Sequence, residues 1–138
     1  MARFPYHRAD VQGISYMPRF PITLSRGSQS INLLGLLDTG AAVNVLPYEI
    51  GVTLGAVWEA QTVTMPLVGS LGQHEAKALF LMAENPDVTH GQQVKLAFAW
   101  VRETSVPLIL GQMNFFMEFD VCFYRSRQIF DVHLKQDR

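Results

Sequence analysis

From residue 21 to residue 134 the chain is a succession of short apolar runs, each closed by proline, glycine or a polar cluster. That rhythm leaves little room for long helices and admits strands joined by turns. Residues 21–24 and 31–37 flank the polar cluster 25–30, which reads as a hairpin. Residues 43–46 are a further apolar run stopped by Pro47, and residues 48–54 read as a short helical turn ended by Gly55. Thr62, Val63, Thr64 and Met65 alternate with period two before Pro66. Residues 77–82 and 94–101 read as strands, with a turn at Asn85, Pro86 and Asp87 between them. Residues 106–110 have the composition of a buried strand, residues 112–119 that of a single two-turn helix. Residues 121–124 and 128–134 bracket Arg125, Ser126 and Arg127 as a second hairpin, with Phe130, Val132 and Leu134 on one face and Asp131 and His133 on the other. The expectation is an all-β barrel or sandwich with one short helix near the C-terminus.

Composition narrows the function classes. A chain of 138 residues with 49% hydrophobic and 17% charged residues fits one domain over residues 1–138 and is not a disordered, charge-driven polymer. Its 11 Lys+Arg against 12 Asp+Glu leave no electrostatic footprint for nucleic acid. No apolar run resembles a signal-peptide core or reaches the length of a membrane span, so a cytoplasmic protein without a membrane partner is expected. The single Cys122 excludes an internal disulfide and reads as a small buried hydrophobe. His7, His74, His90 and His133 are scattered with no ligand spacing, so a metal site is not expected. No Gly-x-Ser-x-Gly elbow is present, and Gly69 and Gly72 lack the Lys-Ser/Thr of a phosphate loop. The low charge content points to an apolar surface that a partner subunit covers.

Chemistry concentrates at Leu36, Leu37, Asp38, Thr39, Gly40, Ala41 and Ala42. Asp-Thr-Gly alone is a common turn. Here it follows one apolar run and leads through small residues into another. A carboxylate set between two buried strands is costly to ionise unless it is hydrogen-bonded or paired. A turn chosen for geometry alone would sit in polar surroundings.

The sequence Leu36, Leu37, Asp38, Thr39, Gly40, Ala41 resembles the active-site signature of the retropepsin-like aspartic proteases, the single-domain retroviral type. Val106, Pro107, Leu108, Ile109, Leu110 and Gly111 resemble the family's second segment, which packs beside the catalytic loop. Between them, residues 65–72 stand where a glycine-containing flap is expected. The resemblance covers roughly residues 21–124. It implies a closed β-barrel-like fold acting as a homodimer, with an N-terminal extension before the core and a hairpin arm after it.

The same resemblance implies an aspartic endopeptidase hydrolysing extended polypeptides without a cofactor. Such enzymes use two carboxylates sharing one proton, one acting as base on a water and the other polarising the scissile carbonyl. Only Asp38 is followed by Thr-Gly, so one copy holds half a site and a symmetric dimer supplies the other. By the resemblance Asp38 is the catalytic carboxylate, Thr39 braces the two loops across the dimer, and the Gly40 amide hydrogen-bonds the carboxylate. Ala41 and Ala42 line the substrate floor, and Val68, Gly69, Ser70, Leu71 and Gly72 form the flap over the peptide. Leu110 and Gly111 are structural supports. The sequence departs from the viral pattern at Ala42, where many members carry an acidic residue, and at the flap, which has two glycines around Ser70 and Leu71. It also runs past the usual last strand, so interleaved termini are not assured. The competing readings are a non-catalytic dimeric peptide-binding module of the same fold, and an apolar dimerisation domain of a larger assembly; the intact Asp-Thr-Gly argues against both.

Overall fold

A computed structural model of the protein describes residues 2–8, 16–67, 71–103 and 105–136. Strand β1 (Ala2–Pro5) is followed by a two-stranded ribbon, β2 (His7–Arg8) with β3 (Tyr16–Met17). The hairpin of β4 (Arg19–Arg26) and β5 (Gln29–Leu37) comes next, joined by a tight turn in which Gly27 takes φ +60. Such a positive φ matches the right-handed twist of the flanking strands. The turn is tighter than the expected 25–30, because pairing continues out to Arg26 and Gln29.

The chain then forms β6 (Asn44–Leu46), α1 (Tyr48–Thr53), β7 (Ala76–Glu84), α2 (Pro86–Thr89), β8 (Val94–Val101) and β9 (Ile109–Leu110). Strands β4, β5, β9, β6, β8 and β7 close into a barrel in that order, β7 returning to β4 through Thr23 opposite Glu84. Alternation places Phe20, Ile22 and Leu24 of β4 inside, against Leu79, Leu81, Leu96, Phe98 and Leu110. A second, smaller cluster lies on the other side of β8, where Ala99 and Val101 pack with Val45, Ala76 and Val106. With both faces of its end covered, β8 loses strict alternation, which accounts for its loosely patterned sequence.

Beyond the barrel come α3 (Phe115–Glu118), β10 (Phe119–Tyr124) and β11 (Ile129–Leu134). Strand β11 sits between β1 and β10 in a three-stranded antiparallel sheet. The expected C-terminal arm is therefore not a free extension: it pairs with the chain's own N-terminal strand. Phe130 and Val132 face inward, where Phe130 stacks on Phe4 and Phe4 meets Phe20 edge-on.

Several local expectations are corrected. Asn85, Pro86 and Asp87 start a helix, because the Asn85 side chain accepts the Asp87 N–H at 2.9 Å and Pro86 occupies the first turn. Among the described residues there are thus three short α-helices, α1 and α2 besides the one near the C-terminus, and single 3-10 turns at Trp58–Ala60 and Arg125–Arg127. That last helix is a single turn, since Phe119 adopts an extended conformation to enter β10 and stack on Phe115. Residues 62–65 give only an isolated bridge, Thr64 to Lys77. Of residues 106–110, only Ile109 and Leu110 are strand. Cys122 is exposed, because β10 is an edge strand whose outer half, residues 122–124, stays open to solvent.

Asp131, expected on a solvent face, is 2% exposed and receives a bidentate pair from Arg3, Nε to Oδ1 at 2.7 Å and Nη2 to Oδ2 at 3.1 Å. The Arg3 hydrogen bonds hold its carboxyl below the ordinary value of 3.8. A depressed folded pKa contributes stability above the ordinary carboxylate range, and that contribution is lost as pH falls beneath it. Replacing Arg3 by Met should therefore destabilise the protein most near neutral pH, with the gap to wild type narrowing in acid, as pH falls below the ordinary carboxylate range. Urea unfolding at neutral and at acidic pH measures this; a gap of constant size would show that the pair does not couple to folding.

Candidate active site

Strand β9 lies between β5, which it meets in parallel through Leu36 with Ile109 and Leu37 with Leu110, and β6, which it meets antiparallel through Val45. Residues 38–43 arch from β5 over the end of β9 to reach β6. The arch is fixed where it leaves β5, as Asp38 N–H donates to Leu110 O at 3.0 Å. Its tip is a turn closed by Ala41 N–H to Asp38 O at 3.1 Å, and Gly40 N–H donates to Asp38 Oδ1 at 2.9 Å. The expected amide-to-carboxylate bond is present.

The far side of the arch is tied to the segment after β9. Gln112 N–H donates to Ala41 O and Met113 N–H to Ala42 O, both at 2.9 Å, and the Gln112 side-chain amide donates to Thr39 O at 2.8 Å. Gly111 makes this crossing possible. A Cβ there would lie 2.5 Å from Val43 O and 2.8 Å from Ala41 O, both backbone atoms that cannot swing away. The Gly111→Ala variant should therefore be destabilised by about 2 kcal/mol or more, as overpacking against rigid groups is. Thermal unfolding would detect it, and a variant as stable as wild type would mean the arch is looser than described.

Behind the arch stands Asn44, fully buried. Its Oδ1 accepts Gly111 N–H at 2.8 Å and Phe115 N–H at 3.4 Å, while its Nδ2 donates to Ala97 O at 2.9 Å and Asn114 Oδ1 at 3.1 Å. Asn114 Oδ1 also accepts Ala97 N–H at 2.9 Å. One side chain thus connects β6, β8 and the turn after β9.

Asp38 is half-buried at the edge of a cleft of about 370 Å³. Gly40, Ala41 and Ala42 form the near wall, and Val43, Val45 and Ile109 supply apolar surface. Leu67 and Leu71 belong to the opposite wall and pack onto the cluster around Val45 and Ala76. That wall is carried by a pairing with β7, in which Met65 N–H donates to Ala76 O at 2.9 Å and Ala78 N–H to Val63 O at 2.8 Å. Among the described residues lining the cleft, Asp38 is the one ionisable side chain.

Of the site residues expected from sequence, Asp38, Gly40, Ala41, Ala42 and Leu71 come together around this cleft. Thr39 is exposed at the tip of the arch. Gly72 borders a neighbouring hollow with Thr64, His74 and Glu75. Val68, Gly69 and Ser70 lie outside the described residues. Sequence reasoning missed Asn44, Asn114 and Gln112; the signal for Asn44 was a lone amide inside the apolar run of residues 43–46. No three His, Cys, Asp or Glu side chains gather into a metal-holding group among the described residues.

A closed barrel with an Asp-Thr-Gly arch crossing the end of an inserted strand is the retropepsin-like architecture. The chain matches the crystal structure of a retropepsin-like aspartic protease from Rickettsia conorii with a TM-score of 0.64, over 96% of this chain and 91% of that one, at 14% sequence identity. At that identity the likeness establishes the fold. No protein-family model and no curated protein matches the sequence.

Proposed function

We propose that the protein is an aspartic endopeptidase that hydrolyses extended polypeptides, with its active site completed by Asp38 of a second copy. The observation that carries this reading is the setting of Asp38: its backbone N–H is held by Leu110 O, its carboxylate accepts the Gly40 N–H, and it opens onto an apolar cleft. A single carboxylate can serve as base toward water, but peptide hydrolysis of this type also needs an acid to polarise the carbonyl. Among the described residues, the cleft of one chain offers no second titratable group for that role. A two-fold axis past the exposed tip of the arch would bring two Asp38 side chains together, and like charges about 3 Å apart hold one proton between them. One carboxylate then takes a proton from the attacking water while the other hydrogen-bonds the carbonyl oxygen. As the tetrahedral intermediate collapses, the proton passes to the leaving amine. The apolar walls favour aliphatic or aromatic side chains beside the cut.

Purified protein should cleave denatured proteins and fluorogenic peptides, best at acidic pH, where the pair keeps its shared proton. A statine-type peptide, whose hydroxyl mimics the tetrahedral centre, should inhibit because it binds where the transition state does. Cleavage undiminished at saturating statine peptide would count against the mechanism.

A further inference from the structure

The turn at the tip of the arch leaves one feature of its own geometry open. Ala41 N–H to Asp38 O at 3.1 Å closes a turn over residues 38–41, so the peptide between Thr39 and Gly40 is its central unit. The two common turn types differ by a flip of that unit, and glycine at the third position accepts both, because it takes a positive φ there without strain. Here Gly40 lies outside the left-handed region, and its N–H donates to Asp38 Oδ1 at 2.9 Å. A flip would carry that N–H away and turn the Thr39 carbonyl oxygen toward the carboxylate. A donor would give way to a partial negative charge.

The same peptide is gripped at its other end. Gln112 Nε2 donates to Thr39 O at 2.8 Å, from a residue whose own N–H is fixed on Ala41 O at 2.9 Å. The side chain thus reaches the tip from a base already tied to the arch. Its donation also polarises the peptide it holds, which strengthens the Gly40 N–H as a donor. Hydrogen bonds run in series from Gln112 through one peptide unit to Asp38 Oδ1, and so fix how the carboxylate is turned.

We infer that Gln112 is a positioning residue: it holds the Thr39–Gly40 peptide in the one orientation that aims the Gly40 N–H at the Asp38 carboxylate. This deepens the endopeptidase reading, on which its catalytic consequence rests. The orientation of the peptide itself can be read without any cleavage.

Gln112 is exposed, so replacing it should leave the unfolding temperature within about 2 °C of wild type. Gln112→Met keeps the length and removes the donor. Its kcat should fall about tenfold, the worth of one hydrogen bond, with KM little changed. Gln112→Lys restores a donor and should recover most of kcat. Gln112→Glu sets an oxygen against Thr39 O and should be at least as slow as Gln112→Met near neutral pH. Relative to wild type it should recover as pH falls through the ordinary carboxylate range, because a protonated carboxyl donates again. A loss that came from altered packing would show neither the rescue by lysine nor this pH dependence.

Independently of activity, the Gly40 amide proton should move upfield in the NMR spectrum of Gln112→Met and stay near its wild-type position in Gln112→Lys. A Gly40 resonance that Gln112→Met leaves in place, or one that moves while kcat holds at the wild-type value, would overturn the role of Gln112 and leave the endopeptidase reading standing. Wild-type protein that cleaves nothing would overturn the endopeptidase reading, and the Gly40 resonance alone would then decide whether Gln112 sets the peptide.

Discussion

Asp38→Asn protein should fold and dimerise like wild type and lose peptide cleavage by about 10³-fold or more, the range set by general acid–base groups acting together. The substitution is nearly isosteric. Its Oδ1 can still accept the Gly40 N–H that now sits 2.9 Å away, and the anchor to Leu110 O is made by backbone. What disappears is the ability to hold and release a proton. Because each site would take Asp38 from both copies, the variant also makes a sharp statement about mixtures. If wild type and variant exchange freely in equal amounts, random pairing leaves about a quarter of the dimers with two carboxylates. Activity should then fall to about that fraction of an all-wild-type sample at the same total concentration. A fall to half would mean that each chain carries a complete site of its own, and the pairing argument would be finished.

The centre of this site was legible before any coordinates because it is local. Apolar runs on both sides of Asp38, with small residues after it, describe a carboxylate held between strands, and β5 and β6 are those strands. The β4–β5 hairpin and strands β7 and β8 were legible for the same reason, since each is a run with its own turn signals. What escaped was non-local. Trp58, Trp100 and Tyr48 bear no motif, yet Tyr48 stacks on Trp100 at 5.6 Å and Trp58 meets it edge-on at 5.2 Å, an arrangement only the closed barrel creates. Cys122 looked buried because Val, Phe and Tyr surround it, but an edge strand leaves even apolar neighbours half in solvent. Asp131 looked exposed by alternation, and its burial depends on Arg3, 128 residues away in sequence. Asn85, Pro86 and Asp87 form a case of a different kind: the same three residue types open a turn or cap a helix, and the choice fell to the residues that follow. Val88 is buried in the core, and Thr89 bonds back to Asn85 O at 3.0 Å.

The Asn44→Ala variant should be the most destabilising single change at the site, by roughly 3–5 kcal/mol, because it strands several buried groups at once. Gly111 N–H loses its acceptor, Ala97 O loses a donor, and Asn114 Oδ1 loses one of its two. Each unsatisfied buried group is worth about 1–3 kcal/mol, and the cavity left by the amide adds to the loss. Against a total stability of about 5–15 kcal/mol, that removes a large share of the folded protein's margin. Asn44→Asp keeps the acceptor for Gly111 but turns the donor toward Ala97 O and Asn114 Oδ1 into a second acceptor, so it should fare no better. Asn114→Ala should be milder, since Asn114 is only half-buried, and the double variant should be less than additive because the two amides share a bond. Urea unfolding with an unchanged slope would give the numbers directly. The consequence reaches the chemistry as well: Asn44 sets the distance between β6 and the turn at Gly111, and Gly111 in turn supports the arch that carries Asp38. Asn44→Ala protein held folded at low temperature should therefore cleave far more slowly than wild type. If it proves destabilised by less than about 1 kcal/mol, the amide is not what holds the arch in place.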